Sequence, residues 1–420
     1  MCRYLLPLAL VLASFTGGHA LAQERAAGAA PPLTLAAAIR AALADNPEIQ
    51  VARREIEISR GARLQAEARL NPTLAAQLED PRRDNRTHTV LLSQPFELGG
   101  QRAARIEASE RAIDIARVQL EARRAELRAS VTAAFFVALI SQDRVRLARD
   151  SLDLAARGSL AAGNRVRAGK VAPLEETRSR VAEAGVRLEL VQAQGDLRTQ
   201  RQQLGALLGR PAFDQPLDGD ALALPALPSE AAVEARLAEA PASRQARLQV
   251  RRLAALAELE RARRIPDLTV TAGGQRDVAL GRNQAIVGIS VPLPLFDTNR
   301  GNIAEALSRR DQAEDQADAI ALRLRSDAAT ARQRHANALA EVETLRGDIL
   351  PGALTAVTAA TTGFEFGKFG FLDVLDAQRT LLLARSQYLR ALAEAHRAVT
   401  DLDRLLGEPA LSDALPLIPR

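Results

Sequence analysis

Sulfur is almost missing from this chain, with one cysteine and one methionine in 420 residues. Both sit at the extreme start, as Met1 and Cys2. The same start reads as a secretory signal. Arg3 is its positive end, Leu5 to Phe15 its apolar run, and Ala20-Leu21-Ala22 a small-x-small cleavage site before Gln23. Removal of residues 1–22 would leave no disulfide and no soft sulfur ligand. Cys2 lies too early to be the lipidated cysteine of a lipoprotein, so no lipid anchor is expected. The signal carries Arg3 away, leaving 55 bases (56 − 1) against 51 acids. That small excess is spread along the chain without a basic block, which argues against nucleic acid.

Tryptophan is absent and aromatics are 3% of the residues. Alanine, leucine, arginine, glutamate and glutamine dominate, a composition suited to long helices with narrow seams. No apolar run of 18 or more residues follows the signal, so no transmembrane helix is expected. An exported chain of this kind is periplasmic, secreted, or held in an outer membrane as a β-barrel. Enzyme motifs are missing as well. There is no GxSxG, GxxxxGK[ST] or HExxH pattern, and we expect no catalysis. His88, His335 and His396 are scattered without ligand spacing and read as structural surface residues. No cofactor and no metal-binding site are expected. Gly99-Gly100 and Gly273-Gly274 read as turns and strand ends rather than phosphate loops.

What is present is a tandem repeat. Residues 168–211 align without a gap on 366–409, an offset of 198 (366 − 168). Gly169-Lys170 falls on Gly367-Lys368, and these are the chain's two lysines. Leu207-Leu208-Gly209-x-Pro211 falls on Leu405-Leu406-Gly407-x-Pro409. Upstream, Pro47 matches Pro241 and Pro72-x-Leu74 matches Pro266-x-Leu268 at an offset of 194 (241 − 47). One loop or helix between Leu74 and Gly169 must therefore differ in length from its counterpart. We expect a signal at 1–22, repeat 1 at 23–212, a linker at 213–228, repeat 2 at 229–409 and a tail at 410–420.

Each repeat reads as helix, short strand, loop, short strand, very long helix, tight turn, helix. In copy one, 35–69 is helical until Pro72 breaks it. Strands are expected at 73–78 and 89–93, with Pro95 and Gly99-Gly100 ending the pair. In copy two they are expected at 268–273 and 285–291, between Pro266 and Pro292. Leu74, Ala76 and Leu78 share one face, opposite Thr73, Ala75 and Gln77. Proline is absent between Pro95 and Pro173, so 101–167 can run as one helix of about 100 Å at 1.5 Å per residue. Ile106, Ile113, Leu120 and Leu127 recur every seven residues, as a coiled-coil seam requires. Val374, Leu381, Tyr388, Ala395 and Leu402 repeat that spacing in the last helix. Four strands cannot close a barrel, and an open edge is not tolerated in lipid. The strands must avoid the membrane or be pooled among chains, and three chains would supply twelve.

Two segments carry a family resemblance: Ser290-Val-Pro-Leu-Pro-Leu-Phe-Asp-Thr-Asn-Arg-Gly-Asn302 after the fourth strand, and Phe366-Gly-Lys-Phe-Gly-Phe-Leu-Asp-Val-Leu-Asp-Ala-Gln378 at the second turn. With the repeat order, they make the chain resemble the TolC-type outer-membrane efflux proteins over nearly its whole mature length. Both segments look like the branch serving heavy-metal pumps of the resistance–nodulation–division type, the cobalt–zinc–cadmium group. The resemblance implies a mainly α fold with a small β part. Tandem helix–strand–strand–helix repeats would form a long antiparallel α-helical tunnel, continued by a trimeric twelve-stranded barrel. It implies a homotrimer in outer-membrane lipid that meets a periplasmic membrane-fusion adaptor and an inner-membrane pump. The adaptor would dock at the turns holding Gly169, Lys170, Gly367 and Lys368. Asp373 and Asp376 would ring the pore constriction, with Lys368 and Phe369 in the region of the basic or polar latch of the preceding turn, where Phe369 departs from the family. From the residues alone, Asp373 and Asp376 also read as helix-start carboxylates favoured by the macrodipole. A drug-efflux or type I secretion duct is the nearest alternative function. A periplasmic structural or adaptor-like coiled coil is the next, but it has no need of the duplicated strand pair.

Overall fold

The computed structural model describes residues 31–80, 86–224 and 226–407. The expected signal at 1–22 and tail at 410–420 lie outside the described residues, as does Pro409 of the repeat match. Copy one comprises β1 (Leu33–Thr34), α1 (Leu35–Asp45), α2 (Pro47–Glu67), β2 (Thr73–Glu79), β3 (Thr87–Phe96), α3 (Gln101–Arg167) and α4 (Pro173–Leu207). Then follow β4 (Leu217–Asp218), α5 (Glu230–Glu239), α6 (Pro241–Ala262), β5 (Leu268–Asp277), β6 (Arg282–Ser290) and α7 (Arg300–Thr344). A single π turn at Leu345–Ile349 joins α7 to α8 (Leu350–Glu365), and α9 (Phe371–Leu406) closes the chain.

The expected single helix over 35–69 is two helices, α1 and α2, divided at Asn46. Pro47 explains the break, because the residue before a proline is driven out of the helical region. Asn46 is extended (φ −69°, ψ 126°), and its side-chain oxygen accepts from the Glu48 N–H at 2.8 Å. Pro47 then starts α2 at a position where its missing N–H costs nothing. The duplicate behaves alike: Ala240 is extended and Pro241 opens α6. The long helix over 101–167 runs unbroken as expected. Its counterpart in copy two carries Pro351, which cannot donate to the ladder, and the π turn just before it absorbs that loss. The length difference between the copies falls after the strands. Residues 97–100 link β3 to α3, whereas the longer segment 291–299 links β6 to α7.

The four larger strands form one antiparallel sheet in the order β2-β3-β5-β6. They extend further than expected, and Pro95 lies inside β3, opposite Thr269. It is tolerated there because β2 stops pairing at Thr73↔Ser93, which leaves that edge of β3 open beyond it. Gly273 and Gly274 also lie inside β5 rather than at a strand end. A Cβ at Gly273 would fall 2.1 Å from the Val90 carbonyl oxygen, so only glycine permits this strand spacing. Register sorts the side chains by face. Leu74, Leu92, Ala272 and Val287 form one row, and Gln94, Val270 and Ile289 another. The opposite face carries Thr73, Ser93 and Thr271, then Gln77, Thr89, Gln275 and Gln284. Ser93 and Thr271 share a hydroxyl hydrogen bond of 2.9 Å across that polar face. The outward face is thus mainly aliphatic until the row of Leu78, His88, Arg276 and Asn283 at the far end, and the more sheltered face is polar apart from the row of Ala75, Leu91 and Ile286, an alternation that suits a transmembrane barrel wall.

Below the sheet, α3 runs against α2, α4, α6 and α9, and α7 packs between α6 and α9. The seam positions behave as their spacing requires. Ile113, Leu120, Leu127, Val374, Leu381, Ala395 and Leu402 are buried, while Ile106 and Tyr388 are half-buried. The thickest core sits midway along the bundle, where Ile49, Phe135, Leu204 and Leu392 are fully buried beside Leu33 and Leu217 of the parallel β1–β4 pair. Phe213, Leu217 and Ala221 contribute to it, so the expected linker 213–228 is partly core.

Candidate functional site: the tip turns and the start of the last helix

Both inter-helix turns are built alike. After α3, Gly169 takes φ +66°, its N–H donates to the Val166 carbonyl at 2.9 Å, and the Lys170 N–H donates to the Arg165 carbonyl at 2.9 Å. After α8, Gly367 takes φ +71°, its N–H donates to the Phe364 carbonyl at 3.0 Å, and the Lys368 N–H donates to the Gly363 carbonyl at 2.7 Å. This pairing satisfies the last helical carbonyls, and the left-handed backbone favours glycine at both sites. Gly169, Lys170, Gly367 and Lys368 are all exposed at one end of the bundle. The two tips are tied to each other. The Arg165 guanidinium donates to the Phe364 carbonyl at 3.0 Å and lies 4.1 Å from the centroid of the Phe364 ring. Repeat symmetry could not disclose this link, because Arg165 falls on Gly363. The Phe369 ring covers Gly363, where a Cβ would lie 2.0 Å from it. Phe369 therefore braces its own turn.

Asp373 and Asp376 stand one turn apart at the start of α9, both exposed and flanking the buried Val374. The Asp373 carboxylate accepts from the Gly370 N–H at 2.8 Å, capping the helix. It is thus a helix-start carboxylate in the single chain. The copy-one equivalents are Glu175 and Arg178, which pair at 3.6 Å. One repeat balances its charge at this level and the other leaves two carboxylates there. Beside the tip, Leu354, Thr358, Thr362, Phe366 and Lys368 line a shallow groove on α8.

At the opposite end, where sheet meets helices, Gln101 donates to the Ile265 carbonyl at 3.0 Å and to the Asp267 carboxylate at 3.2 Å. Arg105 forks onto Glu97, with one arm at 3.0 Å. That guanidinium holds Glu97 below the usual carboxylate range, while burial and then the charge of Glu97 push Asp267 up. Among the described residues, no three His, Cys, Asp or Glu side chains gather as a metal cluster. Nor is any described helix long and apolar enough to cross a membrane.

Two histidines correct the sequence reading. His335 and His396 are buried, not on the surface. The His396 ring stacks on Phe136 with centroids 3.7 Å apart, and its Nε2 meets the Ala221 carbonyl at 2.8 Å. An isolated histidine in a polar helix gives no sign of this, because the partners come from α3 and the segment after β4. Burial lowers the His396 pKa. The Ala221 carbonyl and Asp220 oppose that shift, and His335 adds to it. The unfolded chain, with His near 6.5, then binds more protons than the folded one in mild acid. Stability should hold above about pH 6.5 and fall as pH drops below it, by up to about 1.4 kcal/mol per pH unit for one group. Thermal midpoints in detergent between pH 8 and 5 should show the decline, and His396→Gln should flatten it. An equal decline in that variant would assign the effect elsewhere.

A duplicated helix–strand–strand–helix chain, with a lipid-type sheet at one end and glycine turns at the other, defines an outer-membrane channel subunit. The family model "outer membrane efflux protein" matches residues 38–210 and 232–408, and the chain belongs to that family. The cobalt-zinc-cadmium resistance protein CzcC of Cupriavidus metallidurans is 41% identical over 97% of this chain and 100% of its own length. The nickel-cobalt-cadmium resistance protein NccC of Alcaligenes xylosoxydans xylosoxydans is 30% identical over 70% of this chain and 68% of its own length. Among solved structures, the open state of the Neisseria gonorrhoeae MtrE outer membrane channel shares the fold. It has a TM-score of 0.75 and 21% identity, covering 90% of this chain and 89% of that one. The protein is an outer-membrane efflux channel protein.

Proposed function

We propose that this chain is the passive exit duct for divalent heavy-metal cations, which reach it from an inner-membrane resistance–nodulation–division pump through a periplasmic adaptor. The observation that carries the cargo is the 41% identity to CzcC over almost the entire length of both chains. Residues 1–22 direct export. Repeats 23–212 and 229–409, joined through 213–228, build the wall, and 410–420 form a tail. Three chains join β6 of one to β2 of the next, giving twelve strands and no free edge. The turns at Gly169, Lys170, Gly367 and Lys368 receive the adaptor, with the α8 groove beside them as a seat. Asp373 and Asp376 ring the narrow end, where the uncompensated charge of the second repeat favours cations. Binding and passage need no catalytic group, and selection among metals falls to the pump.

Deleting the chain from its host should lower the inhibitory concentrations of cobalt, zinc and cadmium, and the gene supplied in trans should restore them. Unchanged metal tolerance combined with new drug sensitivity would sink the metal reading in favour of a drug-efflux duct.

A further inference from the structure

The segment after β6 stands out once the sheet is in place. Val287 and Ile289 project from the aliphatic face of β6, and Val291, Leu293 and Leu295 keep the every-second-residue apolar spacing in sequence past the strand end, where the chain turns at Leu293–Leu295. Leu293 and Leu295 are each 75% exposed, and Phe296 is 100% exposed. Single exposed aliphatic residues are ordinary, but a run of them that follows directly on a lipid-type strand is not. The positions between them are Pro292 and Pro294, which have no N–H to leave unsatisfied. The Leu295 N–H is bonded to the Leu293 carbonyl at 2.8 Å. Much of the backbone donor cost of leaving water is thereby removed.

The loop is also held in position. The Asn299 N–H donates to the Asp297 carboxylate at 2.9 Å, and its side-chain amide donates to the Glu260 carbonyl at 2.7 Å. That docks the loop on the end of α6, which Arg263 and Arg264 follow in the chain while Arg300 opens α7; all three are exposed, and Arg263 pairs with Glu260 at 2.6 Å. An apolar tongue flanked by arginines has the chemistry of a membrane interface with anionic headgroups. The matching segment of copy one, 97–100, is too short to form such a tongue.

We infer that Val291–Phe296 dips into the periplasmic leaflet of the outer membrane and anchors each subunit where barrel meets tunnel. The inference rests on the outer-membrane channel reading, and its occupant is the phospholipid of that leaflet. The tongue supplies, with Phe296, an aromatic contact at the interface in a chain that has no tryptophan.

That same lack provides the test. Phe296→Trp introduces a sole tryptophan at a fully exposed site, and Ile289→Trp places one on the outer face of the sheet. Each full-length variant is reconstituted in vesicles of phospholipid brominated near the headgroup end of the acyl chain, and in unbrominated vesicles. Both tryptophans should lose fluorescence in the brominated lipid. Quenching at Ile289→Trp without quenching at Phe296→Trp would overturn the anchor and leave the channel intact. That includes a blue-shifted but unquenched Phe296→Trp, which would mean that a neighbouring subunit covers the tongue. Failure of both to quench would overturn the anchor together with the membrane placement of the sheet.

Discussion

Replacing Val287 with arginine is expected to abolish trimer assembly. Val287 is 80% exposed in the single chain and shares a row with Leu74, Leu92 and Ala272. In water an arginine there would be harmless. In a barrel wall, a guanidinium near mid-membrane costs about 2–4 kcal/mol per chain, and three chains carry it at once. Gln275→Arg is the control, since Gln275 lies on the polar face between Thr89 and Gln284. Mass measurement in detergent should find three chains for wild type and Gln275→Arg, and monomer or no membrane-inserted protein for Val287→Arg. Normal trimers from Val287→Arg would mean that this face does not meet lipid.

The second large effect concerns Asp373 and Asp376. Three chains would bring six carboxylates to one ring. Like charges held that close favour a cation between them. A divalent ion crossing the ring would therefore linger and block current. Asp373→Asn with Asp376→Asn should weaken cation selectivity and relieve divalent block in planar-bilayer recordings. The fold should survive, because asparagine keeps an oxygen to accept from the Gly370 N–H. The loss is then confined to the charge at the helix start, about 0.3–1 kcal/mol. Wild-type selectivity and block in the double variant would reduce both residues to helix-start carboxylates. The constriction would then lie elsewhere.

The periodic parts of this fold are legible in the residues themselves. The heptad spacing of Ile113, Leu120 and Leu127 buries those residues as expected, and the absence of proline from 101–167 leaves one unbroken helix. The alternation in 73–78 identifies which face of the sheet is apolar. At the site, the paired lysines and glycines locate both turns, since only glycine enters the left-handed region cheaply. Boundaries are less legible. The stretch 35–69 reads as one helix but is divided at Pro47, and Pro95 reads as a strand end but lies inside β3.

By itself, then, the sequence determined the duplication, the order of elements, the period of each, and the two turns. These are local properties, set by backbone sterics and by the spacing of apolar residues along one segment. Only the tertiary structure decided what comes from distant parts of the chain. It placed Arg165 on Phe364 across the two tips, closed Phe369 over Gly363, and buried His396 between Phe136 and Ala221. It also set the register that puts Val90 and Gly274 on one face, and it left the apolar loop ending at Phe296 exposed. A side chain's neighbours across a bundle depend on how whole helices and strands settle together, and no short window of residues contains that information.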